Sequence, residues 1–470
     1  MEPKREHWAS RFGFIMAAAG SAVGLGNIWR FPYLTGANGG GAFILIYLGF
    51  VFLIGTTVML AEFSVGRMTQ KAAVGAYKSV SRSWTFAGVI GVLTAFLIMG
   101  FYPVVGGWAT AYVVKSLTGL LSDPTAIGDA FGAFISSPVE PLLWTVLYMS
   151  FNIFIVIRGV GKGIEAASKI LMPLLILLLI SVAGYGMTLP GAMEGFRFLF
   201  VPDFSAVSAK TFLAALGQAF FSLSLGMGCM ITYGSYLPKD SKLPSSAAVV
   251  TAMDTTFAIL AGVAIFPALF AFGLEPASGP GLVFVVVPQI FAKMGFIGPI
   301  LSMIFFIALM IAALTSSVSL MEVVVAYLMD ERKWTRRTAV ISTGLVMFLF
   351  CVLASLSLGL WSSWTIPVLG VGFFDFFDIL TDKVFLAIGG LLLGVFAGFK
   401  IKKEDLKREL TNEGTFHFAL FEAWYFVLKF VTPIAIGLVA LFGLFDIVQK
   451  ELMVFGLIVI GVTALFSKKF

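Results

Sequence analysis

Long apolar runs separated by short polar connections dominate the pattern of this chain. Segment 41–61, GAFILIYLGFVFLIGTTVMLA, carries no charged residue. A helix crosses the ~30 Å hydrocarbon core of a bilayer with about 20 apolar residues. Runs of this kind predict membrane spans near 10–35, 41–66, 86–117, 141–157, 165–187, 209–236, 246–273, 298–329, 337–359, 371–399, 418–446 and 451–467. The last run is short, which leaves eleven spans as the alternative to twelve.

Two of these runs are interrupted. The first reads GFIMAAAGSAVGLGNIWRFPY, with Gly20, Gly24 and Gly26 close together and Asn27 and Arg30 following. The sixth reads LGQAFFSLSLGMGCMITYGSY, with Gly226 and Gly228 in mid-span. Glycine weakens a helix by about 1 kcal/mol relative to alanine, and broken backbone persists at membrane depth only where protein or a polar cavity satisfies it. Close helix packing through small residues would also explain either run alone. Two interrupted spans, five apart in order, point to matching positions in two repeats and to a binding site near the midplane.

Composition agrees with the pattern. Hydrophobic residues make up 59% and charged residues 12% of the chain, against about 25% charged in a soluble domain. Lipid must be the solvent for much of this surface. The net charge of +6 could suggest nucleic acid, but its placement excludes that reading. Lys4, Arg5, Arg11, Arg67, Lys71, Lys78, Arg82, Arg158, Lys162, Lys239, Lys242, Arg332, Lys333, Arg336, Arg337, Lys400, Lys402, Lys403, Lys407, Arg408, Lys468 and Lys469 all fall at one end of the expected bundle. The other end holds few, such as Arg197, Lys210 and Lys450. The positive-inside rule then predicts a multi-pass protein of the cell (inner) membrane with a cytoplasmic N-terminus, and the trailing lysines favour an even number of spans.

Cys229 and Cys351 lie in apolar runs with no disulfide or zinc spacing, and His7 and His417 form no local metal motif. The N-terminus lacks the cleavage pattern of a signal peptide. Lys400 to Glu413 suits a cytoplasmic loop. No HExxH motif, Ser–His pair or phosphate loop is present, so an enzyme is not expected.

The motif GSAVGLGNIWRFP at Gly20–Pro32 resembles the first-helix signature of the neurotransmitter:sodium symporters. The resemblance continues through NGGGAF at 38–43, GQAFFSLSLGMG at 217–228, ALTSS at 313–317 and YLMDE at 327–331. It implies an all-α polytopic membrane protein of the LeuT-type fold. Two inverted five-helix repeats would occupy 1–187 and 188–400, with a loop and further C-terminal helices in 401–470. It also implies sodium-coupled transport of an amino acid; the rival reading is an amino-acid-binding receptor with little transport.

By motif position, two sodium ions are implied. The first would be held by the Ala22 carbonyl, Asn27, Ser222 and Asp254. The second would be held by carbonyls of Gly20, Val23 and Ala312 with the hydroxyls of Thr315 and Ser316. Sodium prefers hard oxygen ligands, as calcium and magnesium do. Thr315 and Ser316 could also serve as ordinary helix–helix hydrogen bonds. Asp254 departs from the family, many of whose members carry asparagine there. Chloride-dependent members place an anion beside the first sodium, near the positions of Tyr47, Gln218 and Ser222, and the remaining hydroxyl position is Ala258 here. Asp254 is therefore expected to supply that negative charge and to make chloride unnecessary. Glu62 is expected to brace the broken spans near Ser224, the alternative being a pair with Arg67.

The implied substrate site comprises Ala22, Gly24, Leu25, Gly26, Tyr102, Phe221, Ser222 and Ser224 around the zwitterion, with Ile98, Phe221, Met227, Ser316 and Leu320 around its side chain. Monoamine carriers place an aspartate at the position of Gly24, so an amino acid is expected, and the apolar lining favours a neutral, hydrophobic one. Arg30 with Asp378 would form the outer gate, although Asp375 and Asp382 lie close in sequence. Arg5 with Asp330, helped by Trp8 and Tyr236, would form the inner gate. Gly163 and Pro173 match a pair that lets the fifth helix unwind in the family; a static kink is equally compatible with them.

Overall fold

A computed structural model describes residues 6–275, 279–367 and 369–447. The expected twelfth span at 451–467 and Arg5 lie outside the described residues. Eight continuous helices are long and apolar enough to cross a membrane: Gly41–Thr69, Arg82–Lys115, Val160–Gly186, Leu243–Ala271, Gly295–Arg332, Arg336–Leu356, Phe373–Lys400 and Phe421–Gly443. These are spans 2, 3, 5, 7, 8, 9, 10 and 11. Span 4 is Glu140–Val156, bent 76° from the short helix Ile127–Ser136 before it. The remaining two, spans 1 and 6, are broken, as their glycines predict.

Span 1 consists of Arg11–Ala22 and Gly26–Ala37, which meet at 49°. Its connection turns extended at Val23, where ψ is 104°. Span 6 consists of Ala209–Ser222 and Cys229–Gly234. Its connection contains left-handed residues at Ser224 (φ 53°), Gly226 (φ 79°) and Gly228 (φ 77°). Glycine tolerates that region freely, whereas a side chain strains it. At Gly226 a Cβ would also come within 2.7 Å of the Gly390 nitrogen in span 10, so neither the conformation nor the packing admits a larger residue.

The first half of span 1 packs on spans 5, 7 and 8, and span 8 also meets span 3. The two breaks thus lie inside the bundle, where neighbouring protein can satisfy their free backbone groups. Large apolar side chains such as Leu143, Ile170, Leu177, Leu349 and Ile434 point outward from the peripheral spans, as lipid-facing positions should. Span 5 is wound throughout, with a wide π turn at Val160–Glu165 and Pro173 inside the helix. The helix is therefore not unwound at the Gly163–Pro173 pair in this conformation.

Candidate functional site

The breaks in spans 1 and 6 face each other across a small cavity. Its lining is Ala22, Gly24 and Gly26 from span 1; Ile98 and Tyr102 from span 3; Phe221, Ser224 and Met227 from span 6; and Ser316 and Leu320 from span 8. Sequence reasoning placed all ten there. It missed Ser21, which also lines the cavity; Ser21 gives its hydroxyl to Ser319 at 2.7 Å and its carbonyl to the Ser224 hydroxyl at 2.7 Å. The signal was present: a serine one residue before the break has its carbonyl freed by that break.

At one end of the cavity the Leu25 N–H donates to the Tyr102 hydroxyl at 3.1 Å. Backbone donors and a phenol thus converge at the start of a half-helix, where the dipole favours negative charge. No side chain at Gly24 separates them. A Cβ there would collide with Ser316 Oγ and lie 2.7 Å from Tyr102 Oη. Away from this polar end the walls are the apolar groups of Ile98, Phe221, Met227 and Leu320.

Beside the cavity, Asp254 is fully buried. Its carboxylate accepts from Asn27 Nδ2 at 2.7 Å, from Ser222 Oγ at 2.9 Å to each oxygen, and from Tyr47 Oη at 3.4 Å. Asn27 in turn accepts the Gly24 N–H at 2.9 Å, so the charge is tied to the break in span 1. Gln218 donates to the Gly26 carbonyl at 2.8 Å, and its own oxygen is buried without a hydrogen-bond partner among the described residues.

On the other flank, Ser316 Oγ lies 3.2, 3.0 and 3.2 Å from the carbonyl oxygens of Gly20, Ser21 and Val23. A hydroxyl has a single hydrogen to offer these three acceptors. Thr315 directs its hydroxyl to the Ala312 carbonyl at 3.1 Å. The result is a pocket of oxygens with surplus lone pairs, which suits a hard cation.

Glu62 braces the break in span 6, as expected: its Oε1 accepts the Gly226 N–H at 2.8 Å. Arg67 is engaged elsewhere, since it donates to Glu409 and to the Ser241 carbonyl. Glu62 also lines a second, small hollow with Tyr77, Gly91 and Gly228.

The charge expected to close the top of the site needs correction. Arg30 forms a two-pronged ion pair with Asp382, not with Asp378. Asp382 lies within a π turn of span 10 at Leu380–Phe385, and Arg30 ends a π turn of span 1 at Gly26–Arg30. The Arg30 guanidinium also lies 4.8 Å above the Phe221 ring, so the expected lid is in place.

At the end of the bundle rich in Lys and Arg, Trp8 donates to the Tyr233 carbonyl at 2.9 Å and stacks edge-on against Tyr236. Tyr236 donates to Glu322 at 2.7 Å, and Arg336 grips the same carboxylate at 2.8 and 2.9 Å. Glu322 is fully buried in span 8 and went unnoticed in the sequence, although an acid inside an apolar span is itself a signal of function. Asp330 accepts the Ala72 N–H at 2.8 Å; its expected partner Arg5 is outside the described residues. Both cysteines are buried and free.

The profile of the sodium:neurotransmitter symporter family matches residues 5–125 and 137–459. A sodium-dependent transporter of Bacillus subtilis, YhdH, itself uncharacterized, is 43% identical over 94% of this chain and 98% of its own length. An uncharacterized sodium-dependent transporter of Haemophilus influenzae is 37% identical over 94% of this chain and 99% of its own. The crystal structure of MhsT in complex with L-phenylalanine superposes with a TM-score of 0.85 at 50% identity, covering 93% of this chain and 99% of MhsT. The LeuT-type architecture expected from the motifs is therefore the fold of this protein, and the chain belongs to the sodium:neurotransmitter symporter family.

Proposed function

We propose that this protein imports a neutral, hydrophobic or aromatic L-amino acid together with sodium, by alternating access and without chloride. The observation that carries the reading is the joint placement of a half-helix start, Tyr102 and two oxygen-rich pockets around one apolar cavity. The amino acid's carboxylate would meet the Gly24–Gly26 backbone, Tyr102 and the first sodium. Its ammonium would meet the carbonyls of Ala22, Phe221 and Ser224, and its side chain the apolar wall. MhsT, which shares half of its residues with this chain, was crystallised with an aromatic amino acid, and that supports a site of this capacity.

Sodium is the driving substrate. Ala22, Asn27, Ser222 and Asp254 would hold the first ion; Gly20, Val23, Ala312, Thr315 and Ser316 would hold the second. Binding of both substrates favours closure of the Arg30–Asp382 pair over Phe221, because shared ligands give them different affinities in the two conformations. Inward opening would then separate Trp8 and Tyr236 from their partners. In this reading the N-terminus is cytoplasmic, residues 1–187 and 188–400 are the inverted repeats, and 401–470 supplies the added helices.

Two substitutions probe the site. Removing the Tyr102 hydroxyl with Tyr102→Phe takes away a hydrogen bond to a charged group, a loss of about 1.5–3 kcal/mol. The dissociation constant for L-phenylalanine is expected to rise about 10- to 100-fold in equilibrium binding; a rise below threefold would remove Tyr102 from carboxylate recognition. Asp382→Asn is expected to slow uptake about tenfold, on the same scale for a charged hydrogen bond, and Asp378→Asn less than threefold. The reverse order would return the gate to Asp378.

The reading as a whole is tested by uptake of radiolabelled L-phenylalanine into proteoliposomes. Accumulation above the external concentration is expected with an inward sodium gradient and not with potassium, in chloride or gluconate alike. Sodium-dependent binding without accumulation would show a receptor instead.

A further inference from the structure

Two carboxylates tie the segment before span 1 to the beginning of span 5, and each serves the other element. Glu165, at the end of the π turn that opens span 5, is 1% exposed. It accepts the Ala9 N–H at 2.7 Å and the Ser10 hydroxyl at 2.9 Å, just where span 1 begins. Ser10 is itself the N-cap of that helix, receiving the Gly13 N–H at 3.0 Å. In return Glu6 accepts the Val160 N–H, the first backbone donor of span 5. The start of span 5 is thus capped by Glu6, while Glu165 anchors the capping serine of span 1 and the backbone just before it.

Two glycines make the approach possible. A methyl at Gly13 would collide with the Glu165 carboxylate, and one at Gly159 would lie 2.7 Å from Glu6 Oε2. Gly159 also has φ 85°, so it both turns the chain and clears the space. Lys169 at 2.6 Å and Arg336 at 3.1 Å add charge at the rims, to Glu165 and Glu6 respectively. Because each element carries the carboxylate that the other's N–H group donates to, neither can leave alone without uncovering a carboxylate and the N–H group it serves.

We propose that Glu6 and Glu165 form a reciprocal clasp that makes release of the segment before span 1 and opening of the first turn of span 5 a single event. Glu165 and Glu6 are positioning residues: they touch neither substrate nor sodium, but hold the cytoplasmic side shut by joining the two elements that must part. The claim builds on the transport reading above. Its test reads exchange without sodium or substrate, so the two can fail separately.

Hydrogen–deuterium exchange of the full chain in lipid nanodiscs is compared for wild type, Glu6→Ala, Glu165→Ala and the double variant. Each single variant is expected to speed exchange about tenfold in both 9–13 and 160–165, including the side whose own cap is intact. The double variant is expected to exceed the faster single by less than twofold, the non-additivity of one shared unit. Gly13→Ala, which favours helix yet displaces the Glu165 carboxylate, is expected to reproduce the effect and stands in if Glu165→Ala does not fold. A conformational readout accompanies it, also without sodium: in a Cys351→Ala background, alkylation of the buried Cys229 in the inner half of span 6 is expected to rise about tenfold in each variant. Loosening confined to the element that lost its own cap, effects that multiply in the double variant, or unchanged Cys229 reactivity would each overturn the clasp.

Discussion

Replacing Asp254 by asparagine is expected to lower sodium-driven uptake in chloride-free buffer by about a hundredfold or more. Asp254 sits at zero exposure with hydrogen-bond partners that are all neutral: Asn27, Ser222 and Tyr47. A buried carboxylate held only by dipoles remains uncompensated until a cation arrives, and in this account the first sodium is that cation. Removing one partner of a buried charge pair costs about 3–5 kcal/mol, or roughly two to three and a half powers of ten in affinity. The loss should appear mainly in the sodium concentration needed for half-maximal uptake. Chloride distinguishes this from simple damage. Wild type is expected to work equally in chloride and gluconate, whereas Asp254→Asn should regain part of its uptake in chloride, because Tyr47 and Ser222 then face a place where an anion restores the charge. A several-fold loss of wild-type activity in gluconate would contradict the assignment.

Gly24→Ala should abolish measurable amino-acid binding while the protein still folds. The added methyl would push into Ser316 Oγ and come within 2.7 Å of Tyr102 Oη. In the proposed reading those groups serve different ligands: Tyr102 the carboxylate, Ser316 the carbonyls offered to the second sodium. One methyl therefore disturbs both, and neither can retreat into the close-packed spans 3 and 8 without opening a void. An affinity within about twofold of wild type, with the thermal midpoint preserved, would mean that the substrate does not lie against this backbone. Serine at the same position should fail likewise, since its Cβ meets the same atoms.

Much of this was legible in the sequence because membrane chemistry restricts what a chain can do. Apolar length marks the spans, and glycines in spans 1 and 6 mark where the helices stop. What was not legible depended on how helices turn. Asp378 and Asp382 are four residues apart, hence on the same side of a regular helix, and Arg30, itself at the end of a π turn in span 1, meets Asp382 inside a π turn of span 10. Glu322 was hidden differently: Arg336, which holds it, is 14 residues on and follows a change of direction. Glu6 and Glu165 lie more than 150 residues apart and look like ordinary charges near span ends; their crossed hydrogen bonds exist only once the spans are packed. Ser319, by contrast, was one small hydroxyl among many in an apolar run, and nothing in its local sequence distinguishes it from the common pattern of such residues bonding within the bundle.

The central claim is that sodium and a zwitterion share the ground between two broken helices, and thermodynamic linkage tests it most directly. Equilibrium binding of L-phenylalanine is titrated at a series of sodium concentrations, with potassium keeping the ionic strength constant, and sodium binding is titrated with and without the amino acid. The account predicts that sodium tightens amino-acid binding by at least about tenfold and that the amino acid tightens sodium binding by the same factor, as reciprocity demands. An amino-acid affinity that does not change between sodium and potassium would contradict it.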